Sequence, residues 1–198
     1  MARFIKDRSA VTGMAPGSLI FMGEQKMAQP VIHLIEYDEN DYEERELSDL
    51  NDIIPSINNK KVSWINIYGL HDVYMIARLG EILELRSLFL EDLLNTDQQP
   101  IYEDGPTYDG FILKMLDYDI EGKSIESEQI TMVLGENYVL TLQEQRGDLF
   151  NPVRDRIKQT DRRKRLNDND YLMYALLDTI IDNYLALVEA VGREIEDI

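Results

Sequence analysis

Gln129-Ile130-Thr131-Met132-Val133-Leu134-Gly135-Glu136-Asn137-Tyr138-Val139-Leu140-Thr141-Leu142-Gln143-Glu144 decides the fold class of this 198-residue chain. Two runs rich in branched and apolar residues flank a turn around Glu136-Asn137, the pattern of two strands joined too tightly for a helix to intervene. Phe111 to Tyr118 is a third run of the same kind just upstream. Strands that follow one another without helices between them favour antiparallel pairing, so a mostly antiparallel sheet is expected rather than a fully wound parallel one.

Toward the N-terminus, Val62-Ser63-Trp64-Ile65-Asn66-Ile67-Tyr68 has the branched and aromatic content of a central strand, and Gly69 stops it. Val31 to Tyr37 reads as a strand buried on both faces, returning through the acidic turn Asp38 to Asp41 into Tyr42 to Leu47. Ser48 is the expected cap of a short helix over 49–54 that Pro55 ends. Asp72 caps a helix reaching about Glu84, with Val73, Ile76, Ala77, Leu79 and Leu83 at helical spacing. Ser87 is placed to cap the next helix, and 96–108 reads as loop or edge. Residues 1–30, with Gly13, Pro16, Gly17, Gly23 and Pro30, read as a flexible arm.

Toward the C-terminus a helix is expected from Pro152 to Lys158. From about Asp168 the chain reads as one helix to its end, with Leu177, Ile181, Tyr184, Val188, Val191, Ile195 and Ile198 at alternating spacings of four and three. Such a helix of about 30 residues would be roughly 45 Å long. This is more than a compact domain needs, and the pattern predicts a stalk cut short. The longest unbroken apolar run, Tyr171 to Leu177, is far below the roughly 20 residues a bilayer requires. No bilayer crossing is expected within this stretch.

Composition narrows the chemistry. With 38 acids against 20 bases the formal charge is -18, which opposes binding to a phosphate backbone or an anionic membrane. The one basic cluster, Arg162-Arg163-Lys164-Arg165, lacks interleaved aromatics and reads as a solvated loop. There are no cysteines and only two histidines, His33 and His71, so thiolate chemistry and a three-histidine zinc site are excluded within one chain. Both histidines read as structural. Abundant carboxylates suit hard cations. No EF-hand loop, phosphate-binding glycine loop or nucleophile elbow is present; Gly13-Met14-Ala15-Pro16-Gly17 fits none of them.

The carboxylates that stand out are Glu91 and Asp92, adjacent within the apolar run Leu88-Phe89-Leu90-Glu91-Asp92-Leu93-Leu94. Neighbours on a helix point about 100° apart, so the pair straddles the margin of the apolar stripe. An exposed helix face or an ion pair with Arg86 accounts for them, as does a bridging cation. Asp178 and Asp182, one turn apart beside the heptad seam, are most simply solvated.

Five segments together carry a resemblance. Trp64 to His71, Leu90 to Thr96, Ser127 to Ile130, Asp148 to Ile157 and Asp170 to Asp178 resemble, in order, the cytoplasmic domain of the CorA family of magnesium and cobalt transporters. The likeness implies an α+β fold, an α/β/α sandwich with a mostly antiparallel mixed sheet followed by a long C-terminal stalk helix. The domain would cover 31–165 and the stalk would start in 166–198. It further implies a homopentamer at the cytoplasmic face of the inner membrane, attached only through two transmembrane helices beyond this sequence. By the same likeness Glu91, Asp92 and Asp178 match acids that hold regulatory Mg2+ between subunits, with Co2+ or Ca2+ as substitutes. The implied role is gating of a Mg2+/Co2+ pore by divalent cations, not catalysis. Alternatives are a zinc-transporting relative, a carboxylate-based Mg2+-dependent hydrolase with its acids converging in one pocket, and an acidic coiled-coil interaction module.

Overall fold

A computed structural model describes residues 13–119, 124–147, 149–159 and 168–196. The first twelve residues of the arm, Asp148 in the fourth resembling segment, the basic run at 162–165, the boundary at 165/166 and Ile198 lie outside the described residues.

Seven strands form one sheet in the order β2-β1-β3-β7-β6-β5-β4. They are β1 (Val31–Tyr37), β2 (Tyr42–Leu47), β3 (Val62–Tyr68), β4 (Ile101–Asp104), β5 (Asp109–Asp119), β6 (Ser124–Leu134) and β7 (Tyr138–Gln143). Every neighbouring pair is antiparallel except β3 with β7. All seven residues of β3 are buried, because helices cover both faces of the sheet at its centre.

Alternate β3 residues sort the helices into two layers. Ile65 and Ile67 pack with Leu50 and Ile53 of a 3-10 turn, with Ile76 and Leu79 of α2 (Val73–Leu83), and with Phe89 and Leu93 of α3 (Ser87–Leu94). Trp64 points the other way, into Val153 and Ile157 of α4 (Asn151–Gln159) and Leu172 and Leu176 of α5 (Asn169–Glu196). The result is the α/β/α sandwich with a mostly antiparallel mixed sheet and a long C-terminal helix. Each fully buried large apolar side chain contributes about 1.5–3 kcal/mol.

Gly69 follows β3 at φ +91, where a Cβ would also approach Pro30 Cα to 3.2 Å. Asp72 caps α2 by accepting from the Met75 amide, and Glu84 ends it in the left-handed region. Three local expectations are corrected. Asp49, not Ser48, caps the 3-10 turn at Leu50–Ile53 by accepting from the Asn51 amide. Pro55 opens the short α1 (Ile54–Ile57) instead of ending a helix, since a first-turn proline has no bond to lose. Ser87 is the first residue of α3, and the capping position falls on Arg86, which makes no side-chain cap. Within 96–108 the edge reading holds as β4, four residues on the outside of the sheet.

On α5 the heptad pattern divides. Leu177 and Tyr184 pack against the core beside buried Leu172, Met173, Leu176 and Ile180, whereas Ile181, Val188 and Ile195 are exposed together with Leu185. Asn169–Arg193 is long and apolar enough to cross a membrane by length and composition alone. One face of its first three turns, Leu172, Met173, Ala175, Leu176 and Ile180, is nevertheless buried in the protein's own core, and its outer side carries Asp178, Asp182 and Glu189.

Candidate functional site: an acidic margin on the third helix

Helix α3 is held by Phe89, Leu90, Leu93 and Leu94, all buried, which fixes its rotation about its own axis. Contact with α2 is close: a Cβ on Gly80 would come within 2.3 Å of Leu90 Cδ1. With that face committed, Leu88 turns outward and Glu91 and Asp92 sit half-buried at the two margins.

The two carboxylates have different surroundings. Glu91 Oε2 accepts the Gly17 amide at 2.5 Å, a contact that brings the arm onto α3. No described hydrogen-bond donor reaches the Asp92 carboxylate, and burial, then Glu91, then Glu103 push it above the usual aspartate value. Arg86 does not compensate the pair, because its guanidinium donates to Glu103 Oε1 at 3.1 Å and to the Asp104 carbonyl at 3.2 Å. An ion pair with Arg86 is therefore set aside as the account of Glu91 and Asp92.

Asp178 is exposed on α5. Helices α3 and α5 cover opposite faces of the sheet, so one chain cannot bring Asp178 to Glu91 and Asp92. Among the described residues no group of three His, Asp or Glu side chains is placed to hold a metal ion. The donor set is carboxylate oxygen throughout, which fits Mg2+ or Ca2+ chemically. An ion joining these three acids must draw on more than one copy of the chain.

The arm between 13 and 30 is a part of this margin that residue patterns did not disclose. The Met22 amide donates to the Leu94 carbonyl at 2.8 Å and the Met22 carbonyl accepts from the Thr96 amide at 2.9 Å. Leu19 and Phe21 pack against the core cluster under α2 and α3. The Pro16-Gly17 dipeptide, a turn signal, was the available clue.

Elsewhere, buried Arg154 donates to Tyr68 Oη at 2.7 Å and lies 5.1 Å over the Trp64 ring. His33 Nε2 faces Glu44 at 3.1 Å, while its buried Nδ1 has no partner among the described residues. His71 meets Phe21 edge-on, a packing role. Lys26 and the Gln129 amide hold the buried Glu144 carboxylate at 2.8 and 2.7 Å. These groups stabilise the sheet and do not converge with the acids of α3.

Comparison with known proteins gives a consistent result. The family model described as "CorA-like Mg2+ transporter protein" matches residues 59–198. The cobalt/magnesium transport protein CorA of Thermotoga maritima is 36% identical over 191 residues, covering 96% of this chain and 54% of that protein. This chain thus spans about half the length of that curated relative. Among solved structures, the full-length CmaX protein superposes with a TM-score of 0.64 at 12% identity, covering 88% of this chain and 52% of CmaX. The soluble domain of CorA from Methanocaldococcus jannaschii gives 0.57 at 15% identity, covering 84% and 62%. The cytoplasmic domain of ZntB from Vibrio parahaemolyticus gives 0.52 at 13%, covering 83% and 64%. At these identities the structural matches speak for the fold.

Proposed function

The chain belongs to the CorA-like Mg2+ transporter family, and from that premise we propose that it is the cytoplasmic, cation-sensing domain of a Mg2+/Co2+ transporter. In this reading it spans 31–165, preceded by the arm, with 166–198 leading toward membrane-spanning segments. Five copies form a ring at the cytoplasmic face of the membrane, and Glu91, Asp92 and Asp178 hold regulatory Mg2+ between neighbours.

The observation that carries the reading is the separation of these acids. Glu91 and Asp92 lie on one face of the sandwich and Asp178 on the other, so a site that used all three would need acids from two chains. A bound divalent cation would supply the positive charge that no described side chain gives Asp92. Without it, facing carboxylates repel and the packed ring is disfavoured; this is a population shift set by differential cation affinity. Moving such an equilibrium from 1:99 to 99:1 takes about 5.5 kcal/mol, so each of five interfaces needs to supply only about 1 kcal/mol. The exposed stripe of Ile181, Leu185, Val188 and Ile195 supports further helical packing around α5.

Patch-clamp or flux measurement on the full-length transporter tests this. With Glu91→Gln and Asp92→Asn together, inhibition of transport by cytoplasmic Mg2+ is expected to weaken; an unchanged Mg2+ dose-response rejects the proposal. A hydrolase is not favoured, since the acids do not converge in one pocket of the described chain.

A further inference from the structure

The arm turn Ala15-Pro16-Gly17-Ser18 is built to present one free amide. The Ser18 amide donates to the Ala15 carbonyl at 3.1 Å and Gly17 sits at φ +81, the geometry of a type II turn with Pro and Gly at its two central positions. In such a turn the amide of the second central residue takes no part in the turn's own bond and points outward. Here it points at Glu91 Oε2, 74 residues away in sequence. A Cβ at Gly17 would meet Ser87 Oγ at 2.7 Å, so the turn can seat on the first turn of α3 only with glycine there. Five residues further on, Met22 bridges to Asn95 and exchanges backbone hydrogen bonds with Leu94 and Thr96. The arm is therefore tied to α3 at both ends of the helix, with Leu19 and Phe21 anchoring the span between.

We propose that Gly17 is a positioning residue for the cation site: its amide, delivered by the Pro-Gly turn, fixes the Glu91 carboxylate so that its other oxygen faces away from the arm and toward the cation. The inference rests on the reading of Glu91 as a cation ligand. One N–H engages one of roughly four lone-pair sites of a carboxylate and leaves the rest open to a metal. Hydrogen bonds to ligating carboxylates orient them, and loss of such partners typically costs 10–100-fold in metal affinity. Linkage makes the effect reciprocal: if arm docking favours the cation, the cation favours arm docking by the same factor.

The test uses the full-length transporter with Mg2+ as the probe. Gly17→Ala is expected to raise the Mg2+ concentration for half-inhibition roughly tenfold, and adding Ser87→Gly, which opens the space a Cβ needs, is expected to recover part of the loss. In hydrogen exchange, Mg2+ is expected to slow the 13–23 segment in the parent protein and not in Glu91→Gln. A structural role of the arm alone would not make its exchange depend on Mg2+ through Glu91. If Glu91→Gln shifts the Mg2+ response while Gly17→Ala does not, or if Mg2+ leaves arm exchange unchanged, the positioning role is overturned and the cation-site reading stands. If Glu91→Gln itself leaves the Mg2+ response untouched, the cation-site reading fails and takes the positioning role with it.

Discussion

Adjacent acids in opposite circumstances make a sharp stability prediction: Asp92→Asn raises the melting temperature of the metal-free chain. The Asp92 carboxylate is partly desolvated beside Glu91 and Glu103, and its pKa lies above the ordinary value of 3.8. Two unit charges about 7 Å apart repel by roughly 0.6 kcal/mol in water and roughly 2.4 kcal/mol at an effective dielectric of 20. For a half-buried group with two acidic neighbours, screened in part by solvent, a net relief of about 1 kcal/mol is a sober figure, worth about 2–4 °C for a chain of this size. Glu91→Gln relieves the same mutual repulsion but weakens the charge-assisted bond from Gly17, so its net shift is expected near zero. In the Asp92→Asn background that relief is already spent, and Glu91→Gln should then cost about 1 kcal/mol. The single tryptophan, fully buried Trp64 in the opposite core, gives a fluorescence readout remote from both substitutions. The sign also fixes the pH behaviour. Because the folded pKa of Asp92 is raised, this residue makes stability fall as pH rises from 3.8 toward its folded value, a slope that Asp92→Asn should remove. A lower melting temperature for Asp92→Asn at neutral pH and low salt would mean that the fold stabilises the carboxylate, the opposite of what its surroundings imply.

Two further outcomes concern the scaffold. Gly80→Ala should destabilise the chain by about 1–3 kcal/mol in chemical denaturation, because the new Cβ overlaps Leu90 at the contact between α2 and α3; pairing it with Leu90→Ala should recover part of the loss. Glu44 is pushed up by burial but held below its ordinary 4.5 overall by hydrogen bonds from Lys158 and Tyr42 and by the charges of Lys158 and His33. Its contribution is thus present above pH 4.5 and lost as pH falls through its lower folded value. Lys158→Met should shallow that acid limb of a pH-denaturation curve.

Local chemistry was legible where a few neighbouring residues settle it. The alternation and branching of Val62 to Tyr68, the Asp72 cap and the tight turn before Tyr138 are short-range terms, and β3, α2 and the β6-β7 hairpin stand where those terms put them. The two serine caps fail for different reasons: next to Ser48, Asp49 is an equally good acceptor and the backbone path selects it, whereas α3 starts one residue earlier than its serine suggests, so Ser87 lies inside the helix and Arg86, which has no acceptor, holds the cap position.

Composition and pattern by themselves determined an acidic α+β domain with a mostly antiparallel sheet, a long terminal helix and a carboxylate pair in an apolar run. Tertiary structure alone decided that β3 pairs parallel with β7 across some 70 intervening residues, that α3 and α5 take opposite faces, and that an arm amide meets Glu91. The physical reason is range. Propensity, capping and periodicity act over a few residues, whereas which faces meet is set by burying several apolar stripes at once, and no single segment carries that information.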